Sequence, residues 1–596
     1  MRPLVLGLSP VHGIRPCLRL GLPHVLRKWG TLAIAAMTGF GTVRLQAEDR
    51  LRDLQTEYYL HTDDKCPRAY HFGSQGEGDV YSNYGSHSNR MVPVYTFGSK
   101  IDLKSVTGEN SSYRDGEKLK KIYGYLPPHT VNPTAEYCDQ SELYRVQREA
   151  VERGARHLFV VWFDGMDWPT TQAAAIAKTG KVYTSGKGSG LIFQDYKGAK
   201  HADYGYAVTS PTHTQSVRNV DLQTVVVDRE KSAPGGYDPE IAGATPWETG
   251  PLYPKARGYF REKMDDSERA AITKLGRVAH GVTDSAPSAG EFASGVKSYN
   301  TSINVAPDGR FVPTLFNQLQ TEKGWKVGVV TSVGISDASP AAMYAHNVDR
   351  DDSQDLTREL LGEENIVQKM GKGPRLPGLD VLIGAGFGEE ASAQNLSRSQ
   401  GANAETGNPF LAPSTRKAVD IENGGKYVVA ETTAGSLGVD VLNRAAEKAV
   451  ERKARLFGFF GTRESHLPFR TTDGRYDPVT GRTSDGKSVP IHQYSPAHLS
   501  ENPKLVDMTR AAIKVLSADP GKPFALFIEA GDVDWALHGN NLDNAIGCVY
   551  SGEDAVKAVI DWVEKNSNWD DSALIVTADH GHYLVIDDPN GLVSKK

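Results

Sequence analysis

The chain has 596 residues, of which 39% are hydrophobic and 23% charged, and its formal net charge is −6. That balance suits a soluble globular protein, and the length suits a single large α/β unit with insertions. With no long basic run to offset the negative charge, nucleic acid and anionic membrane surfaces are excluded as expected partners, although an enzyme acting on anions can still gather positive charge locally with metal ions.

Near the start, Arg27 and Lys28 precede "GTLAIAAMTGFGTV", and "RLQA" follows. A charged stretch, a moderately apolar run and a small residue at Ala47 read as an export leader over residues 1–47, which predicts a periplasmic or extracellular protein. The apolar run is too short and too rich in glycine to span a bilayer, and no other segment is long and apolar enough. Cys66, Cys138 and Cys548 lie beyond it, which allows at most one disulfide and leaves one thiol free. No C-x-x-C spacing occurs, so a transition metal here must rely on histidine and carboxylate.

Residues 63–153 hold a strand-like "MVPVYTFG" and a helix-like "DQSELYRVQREAVERG". In the latter Asp139 is placed to cap, Glu142 to close a capping box and Gly154 to stop the helix. From Arg156 onward strands and helices alternate. "HLFVVWF", "KVGVVTS", "DVLIGAG", "PFALFIEAG" and "SALIVTADH" are short apolar runs ending in small or acidic residues. Between them, Val556, Val559, Ile560 and Val563 follow the i, i+3, i+4, i+7 spacing of an amphipathic helix. This alternation predicts an α/β sandwich around a mostly parallel sheet with helices on both faces, and ligands beyond the carboxyl ends of the strands. Residues 178–255 and 467–496 are polar, rich in glycine, and expected to be surface insertions or lids.

The chemistry-bearing residues stand at those strand ends. Asp164 closes "HLFVVWFD", where a buried carboxylate is costly without a cation. Ser285, in "TDSAPSAG", opens a helix-compatible run whose free amides and positive dipole end suit phosphate oxygens; taken alone, it reads equally as an N-cap. No histidine neighbours it in sequence, which favours activation by a metal over a triad. Asp337 and Ser339, in "SDASPAAM", offer oxygen to a hard cation, and Arg350 offers a planar fork to phosphate. Glu529, Asp534 and His538 lie in "EAGDVDWALH", the last two one helical turn apart. Asp579 and His580 end the last strand.

Together, DGM, TDSA, D-A-S-P-A…R, E-x-x-x-x-D-x-x-x-H and T-A-D-H resemble the alkaline phosphatase family from about residue 157 onward. The resemblance implies the family's three-layer α/β fold, two zinc ions, one magnesium ion and a phosphoserine intermediate on Ser285, with Arg350 clamping the phosphate. Asp164, Asp579 and His580 would hold one zinc, and Asp164 would be shared with a magnesium also bound by Ser339 and Glu529. Asp337 would stand behind the magnesium ligands. Asp534 and His538 would hold the other zinc, which in the family takes one more histidine from a later H-T-G…V-P-V-Y segment. Here that pattern stands near the front instead, in "YGSHSNRMVPVYTFG", so His87 is the expected third ligand and His582 its rival. The implied organisation is a circular permutant in which residues 48–155 correspond to the family's closing part and residues 156–596 to its main core. The expected substrates are small phosphate monoesters, and a homodimer is what the resemblance suggests. Phosphodiester or sulfate-ester hydrolysis and non-catalytic metal or phosphate binding are the alternatives; no C-x-P-x-R segment of the sulfatase type is present.

Overall fold

The apolar runs become strands of one ten-stranded sheet in the computed structural model, which describes residues 51–53, 87–228, 230–252, 266–478, 480–482, 488–490, 493–586 and 588–593. In chain order they are β1 (Val92–Phe97), β2 (Cys138–Asp139), β3 (His157–Phe163), β4 (Ala202–Val208), β5 (Lys326–Gly334), β6 (Val381–Ala385), β7 (Tyr427–Glu431), β8 (Arg455–Phe459), β9 (Phe524–Ala530) and β10 (Ser572–Thr577). Across the sheet the order is β7-β8-β6-β5-β9-β3-β10-β1-β4-β2. Every neighbouring pair is parallel except those made by β1, which runs against both β10 and β4.

Both faces of the sheet are covered, which is why its central strands are apolar without alternation. All of β9 and β10 is buried. Successive side chains of β3 point opposite ways. The Trp162 ring meets Phe292 of α2 (Ser285–Ser294), ring centres 4.8 Å apart. Phe163 fills the space over Gly552 of the long helix Leu542–Asn566, where a Cβ would come within 2.2 Å of its ring. In that long helix Val556, Val559, Ile560 and Val563 are all buried as the spacing predicts, each contributing roughly 1.5–3 kcal/mol of transfer free energy.

The front segment is part of this core. The helix α1 (Glu142–Glu152) has Ser141, not the expected Asp139, at its N-cap, and the turn before it is closed by Asp139 Oδ1 accepting from the Ser141 amide at 3.0 Å and the Asp139 amide donating to Glu142 Oε2 at 3.2 Å. Gly154 then takes a φ of +94°, left-handed space that favours glycine. The described residues form one compact unit.

Two expectations need correction or restriction. Within residues 178–255, expected as a surface insertion, Ala202–Val208 is strand β4, paired residue for residue with β1. The strand signal of "ADYGYAV" is weakened by Asp203 and Gly205, which disfavour strands, and pairing with β1 completes it. Cys138 and Cys548 are buried and free, so neither is in a disulfide. The leader and Cys66 lie outside the described residues. No described helix is long and apolar enough to cross a membrane.

Candidate metal centre

Four adjacent strands, β5, β9, β3 and β10, carry the candidate ligands at or just beyond their carboxyl ends. Asp164 follows β3, Glu529 lies in the last turn of β9, Asp579 and His580 follow β10, and Asp337 and Ser339 follow β5. The short helix Asp532–His538 continues from β9 and presents Asp534 and His538. Parallel strands bring all these ends to one edge; the reversed strand β1 brings its beginning there. His87, five residues before β1, pairs through the backbone with His582, five residues after the end of β10.

The first cluster is rich in imidazole. Single ligand atoms of His87, Asp534, His538 and His582 all lie within 4.8 Å of one another. His87 Nε2 is 2.9 Å from His538 Nε2 and 3.3 Å from Asp534 Oδ1. His582 Nε2 is 2.7 Å from the same Asp534 oxygen, and the His87 Nδ1 is turned to the Thr283 carbonyl at 3.2 Å. The structure thus brings His87 to Asp534 and His538 and brings His582 as well. His582 either ligates or holds Asp534 in place; the signal for it was its position two residues after His580, on a chain that must leave the site along the same path.

The second cluster is rich in carboxylate. Asp164, Asp534 and His580 lie within 4.8 Å of one another, with His580 Nε2 3.4 Å from Asp164 Oδ1 and 3.3 Å from Asp579 Oδ2. Ser339 Oγ is 3.4 Å from Asp164 Oδ2, and Thr331 Oγ1 donates to Glu529 Oε2. Asp579 Oδ1 is satisfied by the amides of Gly165 and His580, at 2.8 and 2.9 Å. Yet Asp164 Oδ1, Glu529 Oε1 and Asp579 Oδ2 are buried without a hydrogen-bond donor. Three orphaned carboxylate oxygens at one place fit a divalent cation, which would satisfy them together.

The charges tell the same story. Burial, and then the neighbouring Asp579, Asp534 and Glu529, push the Asp164 carboxyl well above its ordinary range. Burial does the same to Glu529 and lifts Asp579 to about 6. Asp534 goes the other way: burial opposes its charge, but His538, His582 and His87 outweigh that and hold it well below the usual carboxylate range. Burial keeps the His580 and His582 rings neutral, His582 falling to about 4, which is the form that ligates metal.

Ser285 is the first residue of α2, and Asp284 caps that helix by accepting from the Ala286 amide at 2.9 Å. Ser285 Oγ lies 3.3 Å from His580 Nε2 of the carboxylate cluster. Arg350 is a quarter exposed; one of its Nη atoms donates to Asp337 Oδ1 at 2.8 Å, and the other lies 3.7 Å from Asp284 Oδ1. Burial disfavours its charge, but Asp337 and Asp284 more than restore it. A hydroxyl at a helix N-terminus, two cation-fitting clusters and a fixed guanidinium can accept and transfer a phosphoryl group.

The alkaline phosphatase family model matches residues 258–591. The chain is 28% identical over 368 residues to the streptomycin-6-phosphate phosphatase of Streptomyces griseus, covering 58% of this chain and 72% of that protein. It is 26% identical over 306 residues to the alkaline phosphatase of Escherichia coli (strain K12), covering 50% of this chain and 58% of that protein. Among solved structures it is similar to Thermus thermophilus alkaline phosphatase at 18% identity and a TM-score of 0.39, covering 72% of this chain and 60% of that one. The match therefore spans less than two thirds of the Escherichia coli and Thermus proteins.

Proposed function

The chain belongs to the alkaline phosphatase family, and on that premise we propose that it hydrolyses phosphate monoesters through a phosphoserine formed on Ser285. The observation that carries this reading is the position of Ser285 Oγ, 3.3 Å from His580 Nε2 of the carboxylate cluster. Asp534, His538 and His87 would hold one zinc and Asp164, Asp579 and His580 another; Asp164, Ser339 and Glu529 would hold magnesium, with Asp337 behind them. Bound there, the ions would supply acidity to the serine hydroxyl and to water and would offset charge on the phosphoryl group.

The chain's own residues do the rest. Ser285 Oγ attacks phosphorus in line, the bond to the leaving alkoxide breaks, and the alcohol departs with a proton. Water then displaces Ser285 from phosphorus, releasing inorganic phosphate and the free hydroxyl. Arg350 holds two phosphoryl oxygens with its fork, which Asp337 and Asp284 keep at a fixed angle. The amides opening α2 add donors on the same side. Two displacements give net retention at phosphorus.

The same reading includes a rearranged chain order: residues 48–155 stand for the family's closing part, and His87 for the histidine of its V-P-V-Y segment. It also includes export and a homodimer, which the family resemblance suggests. The streptomycin-6-phosphate phosphatase of Streptomyces makes sugar-like phosphates a sensible part of a substrate panel.

Ser285→Ala tests the covalent route. Acid quenching of the parent protein with substrate, zinc and magnesium should trap a phosphopeptide containing Ser285, and the variant should trap none and lose at least about 10³-fold in turnover. Unchanged hydrolysis by Ser285→Ala would refute the route. Faster cleavage of diesters or sulfate esters than of monoesters would move the substrate class.

A further inference from the structure

Beyond the ligands, one buried side chain of the front segment touches both the nucleophile's helix and the strand end that bears Asp579 and His580. Gln140 is fully buried. Its Nε2 donates to the Ala578 carbonyl at 2.9 Å, and its Oε1 accepts from Ser288 Oγ. Ser288 lies one helical turn after Ser285 in α2, and its hydroxyl also sits 2.6 Å from the Asp579 carbonyl. The Gln140 amide is itself tied to β4 through the Val208 carbonyl at 2.9 Å.

Neighbouring contacts keep Gln140 from moving. Asp139 Oδ1 faces Lys297 Nζ at 3.2 Å, and Lys297 in turn donates to Glu291 of α2 at 2.8 Å. Gln147, on α1, donates to the Phe292 carbonyl of α2 at 3.0 Å. The front segment therefore grips α2 near its start, at Ser288, and again near its end, at Glu291 and Phe292. Only the grip at Ser288 also holds the strand end carrying Asp579 and His580. A glutamine suits that place because its neutral planar amide sets a donor and an acceptor side by side at every pH, here used on a carbonyl and a hydroxyl.

We propose that Gln140 is a positioning residue for phosphoryl transfer: it locks α2 to the end of β10 and so sets Ser285 Oγ against the ligands Asp579 and His580. This rests on Ser285 as the nucleophile. Its consequence is a role in rate rather than in substrate affinity, because a small displacement of a nucleophile costs attack geometry while leaving the phosphate contacts in place.

The test is Gln140→Met, which keeps length and apolar volume and removes both hydrogen bonds. The metal-replete variant should lose 10- to 100-fold in kcat and in the single-turnover rate of serine phosphorylation, with KM within about twofold of the parent. Zinc and magnesium content should be unchanged. In cobalt-substituted protein the visible ligand-field bands should shift, a readout that does not depend on turnover. If Gln140→Met does not fold, Ser288→Ala removes the other half of the contact and is expected to give the same kcat loss and band shift. Parent-like kcat in either folded, metal-replete variant would overturn the proposal. So would a loss of activity that merely follows loss of metal, since Gln140 would then serve metal retention. A parent protein that hydrolyses monoesters without phosphorylating Ser285 would instead overturn the nucleophile assignment, and the cobalt spectra would still report whether Gln140 orders the ligands.

Discussion

The two clusters are neighbours, share Asp534, and yet have opposite electrostatics. Around Asp534 stand three imidazoles, which stabilise its charge without any cation. Around Asp164 stand Asp579 and Glu529, whose like charges push one another's protonation upward. The first is a preorganised nitrogen-rich site of the kind zinc prefers. The second is an oxygen-rich site that repels itself until a cation arrives, the condition suited to magnesium and to a shared carboxylate. The contrast teaches that metal removal should injure the two unequally: the imidazole cluster keeps its geometry, and the carboxylate cluster takes up protons.

The most damaging way to probe the contrast is His87→Ala. It should lower zinc by one ion per chain and turnover by more than about 100-fold, beyond the 10–100-fold typical of residues that stand behind a ligand. Parent-like zinc content, measured by atomic emission, would shift the third ligand position to His582. Chelation comes next. Stripped protein should lose about 2.7 kcal/mol of stability per ion relative to protein held with each metal at a hundred times Kd, as read by denaturant melts. Zinc alone should restore only part of that, with the remainder returning on addition of magnesium.

Thr331→Val removes the donor to Glu529. Magnesium affinity should fall about tenfold, by titration calorimetry, with zinc affinity unaltered. An equal loss for both metals would erase the distinction between the clusters. The smallest effect concerns pH in the stripped protein. The Asp579 carboxyl is lifted by burial to about 6, above its unfolded value near 3.9. Folding therefore takes up protons there, so that contribution to stability is full below about pH 4 and is lost as pH rises through 6. Stripped protein should accordingly become less stable between pH 4 and 7, and Asp579→Asn should flatten that slope. No change in slope would mean that Asp579 ionises normally in the folded chain.

Much of this was legible before any coordinates. His157–Phe163 reads as a strand and is one, because a strand buried on both faces is apolar at every position. Val556, Val559, Ile560 and Val563 read as the apolar face of a helix and are all buried in Leu542–Asn566. Asp164, Glu529 and Asp579 could be picked out because acids at the ends of apolar runs are costly unless something at the strand ends uses them, and Asp534 by its one-turn spacing from His538. Two things were hidden. Ala202–Val208 carries no strong strand pattern of its own and becomes a strand through its ladder with β1. Gln140 looks like any polar residue beside a helix start, since what distinguishes it is a serine 148 positions away and a carbonyl 438 positions away.

By itself, then, the order of residues determined most of the strands and helices, because those choices follow from local periodicity and caps, and it named the set of candidate ligands. What tertiary structure alone decided is that these ligands meet. The reversed direction of β1 carries His87 to the edge where four parallel strands end. Hydrogen bonding between strands far apart in the chain is what places the His87 ring beside Asp534, and no local preference of either residue encodes that pairing.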